Sequence, residues 1–246
     1  MNPKESRSNR ESLQADARRL AGRIQHTLIS NVLTRDLWER HIAECVQYQF
    51  NAAMIPPAWV RQTAQALRNS GIRVASFVDY PYGTMTSAGK AREAAHLVDE
   101  GAEEIDLMPN VGFLLSGMER EYFEDIRGVV QAADQVPVKI MLELPLLNAS
   151  QRERAVALSI DAGVAYLKNA SGGAVGVATP EDMRFLRGLA PKNVKIKASG
   201  GIKTAQQVRD LLEAGADLVG TSSGARIMHE VLNEAQVSGY ESSSHY

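Results

Sequence analysis

The sequence predicts an α/β chain folded as a (β/α)8 TIM barrel with an extra N-terminal helix. Eight short apolar runs alternate with amphipathic segments along the chain. Residues that open and close helices stand between the runs where a strand–helix repeat needs them. No linker or second composition zone divides the 246 residues, a length at which such barrels form one unit. A doubly wound open sheet is the rival, but no Gly-x-Gly-x-x-Gly turn follows the first strand.

Residues 1–10 read as a disordered lead, 11–235 as one barrel domain and 236–246 as a flexible tail. A helical stretch covers Glu11 to Gly22, and the first strand covers Gln25–Ile29. Thr34 can cap a helix over Arg35–Tyr48, followed by a strand at Asn51–Ile55. Pro57 opens a helix to Asn69 that stops at Gly71, and Ile72–Phe77 is the third strand. Ser87 to Glu100 is helical up to Gly101, ahead of a strand at Glu104–Met108. The fifth strand is Val138–Leu144, and the helix Ser150–Asp161 ends at Gly163. After the strand Ala165–Lys168, Thr179-Pro180-Glu181-Asp182 combines a capping hydroxyl, a first-turn proline and two carboxylates. Val194–Ala198, a helix over Thr204–Glu213 ending at Gly215, and Leu218–Gly220 complete the series. The Glu-Gly-Ala and Ala-Gly-Ala steps before strands four and eight, respectively, are helix-to-strand turns.

Composition narrows the function. Hydrophobic content of 44% and charged content of 23% describe a globular chain with ample core. A net charge of -2 gives no reason to expect nucleic acid or an anionic membrane as partner. No run approaches a membrane span, and the polar start is not a secretory signal, so the cytoplasm is the default. The single cysteine, Cys45, reads as a small core residue. No metal is expected, because His26, His41, His96, His229 and His245 are scattered without ligand spacing. His26, near the first strand, reads as core packing.

Chemistry concentrates at two strand ends. Tyr166-Leu167-Lys168 spills into Asn169-Ala170-Ser171-Gly172-Gly173, and Val194-Lys195-Ile196-Lys197 into Ala198-Ser199-Gly200-Gly201. Residues two apart share a strand face, so Glu104 with Asp106, Lys139 with Glu143, and Lys195 with Lys197 each mark a charged face. Pointing inward, they form a network; the plainer reading is a set of solvated outer faces. Lys168 and Lys197 on neighbouring strands approach within roughly 6 Å. At an effective dielectric near 20, two ammoniums there repel by about 3 kcal/mol, about two pKa units. One lysine is thereby brought toward neutrality, as a nucleophile for carbonyl carbon, with Asp106 shuttling a proton. The plainer alternative pairs each lysine with a carboxylate. The loops Ser199-Gly200-Gly201-Ile202-Lys203-Thr204 and Gly220-Thr221-Ser222-Ser223-Gly224 offer backbone N–H groups to an anion where barrels commonly bind phosphate.

These residues resemble the deoxyribose-phosphate aldolase family, class I Schiff-base aldolases with a barrel fold. The carriers are Gly101–Asp106, Val138–Glu143, Tyr166–Lys168, Lys197–Ile202 and Gly220–Ser223. The resemblance implies that Lys168 is the Schiff-base lysine, Lys197 the lysine that tunes it, and Asp106 the proton relay. It implies phosphate binding by Gly200, Gly201, Ser222 and Ser223, with Gly220, Gly172, Ser171 and Lys203 around the substrate. It further implies that the final Tyr246 assists proton transfer, that no cofactor is needed, and that the chain is a homo-oligomer, a dimer or tetramer. The implied partner is a small phosphorylated sugar or aldehyde. Departures are Asn169-Ala170-Ser171-Gly172 for Thr-Ser-Thr-Gly, Gly173 for a lysine, Lys203 for an arginine and Gln25 for an aspartate. They leave the lysine chemistry in place and imply an altered aldehyde or a weaker phosphate grip. Two other readings stand beside this one. One is a sugar-phosphate isomerase using Asp106 and Glu143 without a Schiff base; the other is a catalytically silent sugar-phosphate binder.

Overall fold

The computed structural model describes residues 14–241, with side chains to residue 233. Eight parallel strands close into a barrel in sequence order: β1 (Ile24–Thr27), β2 (Ala52–Met54), β3 (Arg73–Val78), β4 (Glu104–Leu107), β5 (Val138–Met141), β6 (Tyr166–Lys168), β7 (Lys195–Ser199) and β8 (Leu218–Thr221). β8 pairs back onto β1, so no edge is left unpaired. The doubly wound alternative is excluded.

Helical residues 14–21 (α1) precede the barrel. Between β1 and β2 lies α2 (Arg35–Tyr48), capped by Thr34, whose hydroxyl accepts the Leu37 N–H. Pro57 opens a 3₁₀ turn, Pro57–Trp59, that runs into α3 (Val60–Ala66). α4 is Ser87–Asp99. The next connection holds two helices, α5 (Val111–Leu115) and α6 (Glu119–Ala132). α7 (Ala149–Asp161), α8 (Pro180–Leu189), α9 (Ala205–Glu213) and α10 (Gly224–Glu241) follow. The backbone of α10 is thus helical into the stretch that reads as a tail in sequence. The lead at 1–10, the last five residues and Tyr246 lie outside the described residues.

The strands' two faces carry different chemistry. Outward positions such as Ile105, Leu107, Ile140, Leu167, Ile196 and Val219 are buried in one apolar layer beneath the helices. Inside, only Ala52, Met54 and Ala75, with Phe77, form an apolar cluster, on β2 and β3. Much of the remaining lumen is charged or polar: Gln25, Glu104, Asp106, Lys139, Lys168 and Lys197 are all buried, beside Met141, Tyr166 and Leu218. Barrel interiors usually hold layers of branched aliphatics, so this departure marks where function has displaced packing.

Two sequence expectations on this face are corrected. β5 ends at Met141, and Glu143 lies beyond it with a left-handed backbone (φ 53°), so it does not share a strand face with Lys139. Lys195 is exposed at the opposite mouth, its ammonium 5.5 Å from the Tyr166 ring, and takes no part in the network. The solvated-face reading therefore holds for Lys195 alone. A buried lysine on α4 is new: Lys90 donates to Asp125 on α6 at 2.7 Å and to the carbonyls of Gly83 and Met108 at 3.0 Å each. It pins the loop after β3 to the helical shell.

Candidate active site

Register sets the centre of the site. Lys168 pairs with Lys197 across β6 and β7, and Asp106 with Lys139 across β4 and β5. Side chains at paired positions of parallel strands project side by side, so four charged groups meet in the lumen. Lys168 Nζ donates to Asp106 Oδ2 at 2.9 Å, and Lys197 Nζ donates to the same oxygen at 2.8 Å. The two nitrogens are therefore no farther apart than those contacts laid end to end. Lys139 Nζ lies 3.3 Å from Asp106 Oδ1 and 2.7 Å from Glu104 Oε2. Below it, Gln25 and Arg73 donate to Glu104. The alternative of each lysine with its own carboxylate is replaced by two lysines on one oxygen.

The electrostatics follow from burial. Taking Asp106 out of water would raise its pKa, but Lys168, Lys197 and Lys139 outweigh that and hold it well below the carboxylate range. Glu104 behaves alike: burial opposes, Lys139, Arg73 and Gln25 prevail, and the group is held down to about 2. Lys197 is lowered to about 7, chiefly by burial, with Lys168 and Lys139 adding repulsion and Asp106 opposing. The sequence argument gives repulsion between lysines the leading part. Here desolvation leads, because the shared carboxylate offsets much of the repulsion.

Above the pair opens a cleft of about 530 Å³ at the C-terminal ends of the strands, with Lys168, Lys197 and Asp106 in its floor. Ser171, Gly172, Gly200, Gly201, Lys203, Gly220, Ser222 and Ser223 all line it, as the sequence anticipates. Gly200 has φ 114°, and a Cβ there would meet the Gly176 carbonyl oxygen at 2.2 Å, so only glycine fits that turn. Thr221 ties the two glycine loops together, donating to the Ile202 carbonyl at 2.7 Å and accepting the Ser223 N–H at 2.9 Å. Ser222 and Ser223 directly precede α10, whose N-terminal N–H groups favour an anion.

Several lining residues carry no motif and escape sequence reading. Met54, Phe77, Tyr80 and Met141 form an apolar wall. Their only signal is position at or just past the ends of β2, β3 and β5. Asn169 and Gln25 do not reach the cleft. The Asn169 amide clamps Ser199, donating to its carbonyl at 3.1 Å and accepting its N–H at 2.9 Å. Glu143 is buried, accepts the Ser171 N–H through Oε1, and is raised by burial. His26 packs outward against α2, as its core reading anticipates. The scattering of histidines is corrected for two of them: His26 and His41 stack with ring centroids 4.6 Å apart.

A closed barrel with a buried lysine pair under glycine-rich loops is the architecture of a barrel aldolase. The chain belongs to the DeoC/LacD aldolase family, whose model matches residues 29–231. It is 34% identical to the deoxyribose-phosphate aldolase of Staphylococcus carnosus over 91% of this chain and 97% of that one. With the Thermosynechococcus vestitus deoxyribose-phosphate aldolase it shares 38% identity over 85% of this chain and 95% of the relative. Among solved structures it resembles QR15, an aldolase (TM-score 0.81, 26% identity, 89% of this chain and 98% of that one). It also resembles the tetrameric deoxyribose phosphate aldolase of Aeropyrum pernix (TM-score 0.79, 27% identity, 90% and 96% covered). The chain is accordingly a carbon–carbon lyase.

Proposed function

We propose that this aldolase cleaves 2-deoxy-D-ribose 5-phosphate, or a close relative, into acetaldehyde and glyceraldehyde 3-phosphate through a Schiff base on Lys168. The observation that carries the reading is the shared oxygen: Lys168 and Lys197 donate to Asp106 Oδ2 at 2.9 and 2.8 Å on the cleft floor. With Lys197 lowered to about 7, it can accept the Lys168 proton across that oxygen at neutral pH. Lys168 is then an amine and attacks the sugar aldehyde; loss of water leaves an iminium. Lys197, an amine again once water has left, takes the 3-hydroxyl proton and later returns it to C2; the C2–C3 bond breaks, and its electron pair flows into the iminium to give an enamine. Protonation at C2 and hydrolysis release acetaldehyde and restore Lys168. Asp106 relays the proton between the two nitrogens through Oδ2 and holds both in place.

The phosphate rests in this proposal on Gly200, Gly201, Ser222 and Ser223, with Ser171, Gly172, Gly220 and Lys203 around it. With Gly173 in place of a lysine, Lys203 is the one cationic side chain among these residues, and the weaker grip favours tolerance of unphosphorylated aldehydes. Tyr246 as a proton donor, a cytoplasmic setting and a dimeric or tetrameric assembly belong to the same proposal. Among the described residues no helix is long and apolar enough to cross a membrane.

Borohydride reduction with 2-deoxyribose 5-phosphate, and with acetaldehyde alone, is expected to add mass at Lys168 in the tryptic map. Lys168→Ala should abolish both adduct and cleavage. An adduct that persists in Lys168→Ala, or turnover insensitive to borohydride, would overturn the assignment.

A further inference from the structure

Helix α2 carries His41, Glu44 and Cys45 at positions i, i+3 and i+4, which brings all three to one helix face. That face lies against His26 of β1, on the side of the strand away from the lumen. His26 Nε2 is 2.8 Å from Glu44 Oε2, and the Cys45 sulfur is 3.8 Å from His41 Nε2. One nitrogen of each imidazole and a Glu44 oxygen all lie within 4.8 Å of one another. His26 and His41 are each 3% exposed and Cys45 is 0%. The Glu44 side chain, 31% exposed, forms the open edge.

A position that needed only packing would be filled by aliphatic side chains. Here the protein buries two imidazoles and a thiol around a carboxylate, and His26 Nδ1 is buried without a hydrogen-bond partner. Two imidazole nitrogens and a carboxylate oxygen, with the Cys45 sulfur beside His41, offer donors for a borderline-soft ion, not for calcium or magnesium.

We propose that His26, His41, Glu44 and Cys45 form a binding site for a divalent transition-metal ion of the zinc type, separate from the catalytic cleft. Bond lengths of about 2.0–2.3 Å imply donor atoms about 3.3–3.8 Å apart. Binding therefore parts His26 and Glu44, now 2.8 Å from each other, and opens the imidazole stack, whose planes now meet at 27°. Binding the Cys45 sulfur as thiolate displaces its proton, so one proton leaves for each ion bound. His26 also packs under Gly224, where a Cβ would come within 2.7 Å of Nδ1. The ion thus cross-links β1 and α2 beneath the start of α10, close to the Ser222–Ser223 corner and without touching Lys168.

Cobalt(II) is the probe. The chelator-treated full chain, titrated with Co²⁺, is expected to bind one ion with tetrahedral d–d absorption and a near-ultraviolet thiolate-to-cobalt band. Cys45 is the only cysteine in the chain, so that band reports it alone. Zn²⁺ should bleach both signals. Cys45→Ala should lose the band and keep a weaker d–d spectrum, while His41→Leu should lose both. Glu44→Gln, at the more exposed edge, should weaken binding at least tenfold. An unchanged far-ultraviolet dichroism and unchanged trapping at Lys168 establish that each variant is folded. Absence of the thiolate band in the parent chain, or a cobalt spectrum that survives His41→Leu, would overturn the site.

Discussion

Lys197 reaches Asp106 by passing Gly220, where a Cβ would lie 2.9 Å from the lysine Cε and 3.6 Å from its Nζ. Gly220→Ala should push the amine off the shared oxygen and lower kcat by about 10- to 100-fold, since small misplacement of a catalytic group is costly. A Gly220→Ala enzyme with unchanged kcat would show that this approach does not matter. Lys197 also sets a pH dependence. Below about 7 it keeps its proton and cannot relieve Lys168, so borohydride trapping should fall as pH drops through that value. In Lys197→Met the inflection should vanish, with turnover reduced by about 10²-fold or more; a profile identical to the parent's would remove Lys197 from the proton path.

Among the elements, α4 and α6 depend on one buried contact. Replacing Lys90 by Met leaves Asp125 with the Ser87 hydroxyl and the Asn110 N–H but without its cation. Breaking such a pair costs about 3–5 kcal/mol, which urea unfolding would register, and the Tyr80 side of the cleft should loosen with it. Local signals explain which elements are legible in the sequence. Thr34, Thr86 and Thr179 each accept an N–H in the first turn, and the helices they open begin where the sequence places them. α6 has its apolar stripe, Tyr122, Ile126 and Val129, but no capping side chain marks its start at Met118. β5 reads too long because Leu142 and Leu144 continue the apolar pattern past the point where Glu143 turns left-handed. Apolar periodicity records burial, and burial here outlasts the strand.

For the whole barrel, eight alternating runs suffice to predict the closed topology. The lysine pair of the proposed centre is equally legible, because Lys168 and Lys197 sit at matching places on adjacent strands. Contacts between side chains remote in sequence leave no such trace: Lys90 with Asp125, or His26 with His41, emerge only once the helices are docked. The interior also governs stability against pH. Asp106 and Glu104 are held below their ordinary values, so their contribution is present above about 4–5 and is lost as pH falls toward their folded values. Lys197 is also lowered, so the unfolded chain binds the extra proton between about 7 and 10.5, and stability climbs over that interval. Equilibrium unfolding of the parent and Lys197→Met should differ in slope there; parallel curves would contradict the shift.

Charge is conserved in the lumen. With Lys197 as a free amine, the two anions Asp106 and Glu104 are matched by two cations, Lys139 and Lys168, while Arg73 reaches Glu104 from the half-open edge. An iminium on Lys168 carries the same single positive charge as the ammonium it replaces. In the proposed covalent step one cation thus replaces another beside Asp106, and the carboxylate already stands where the iminium charge forms.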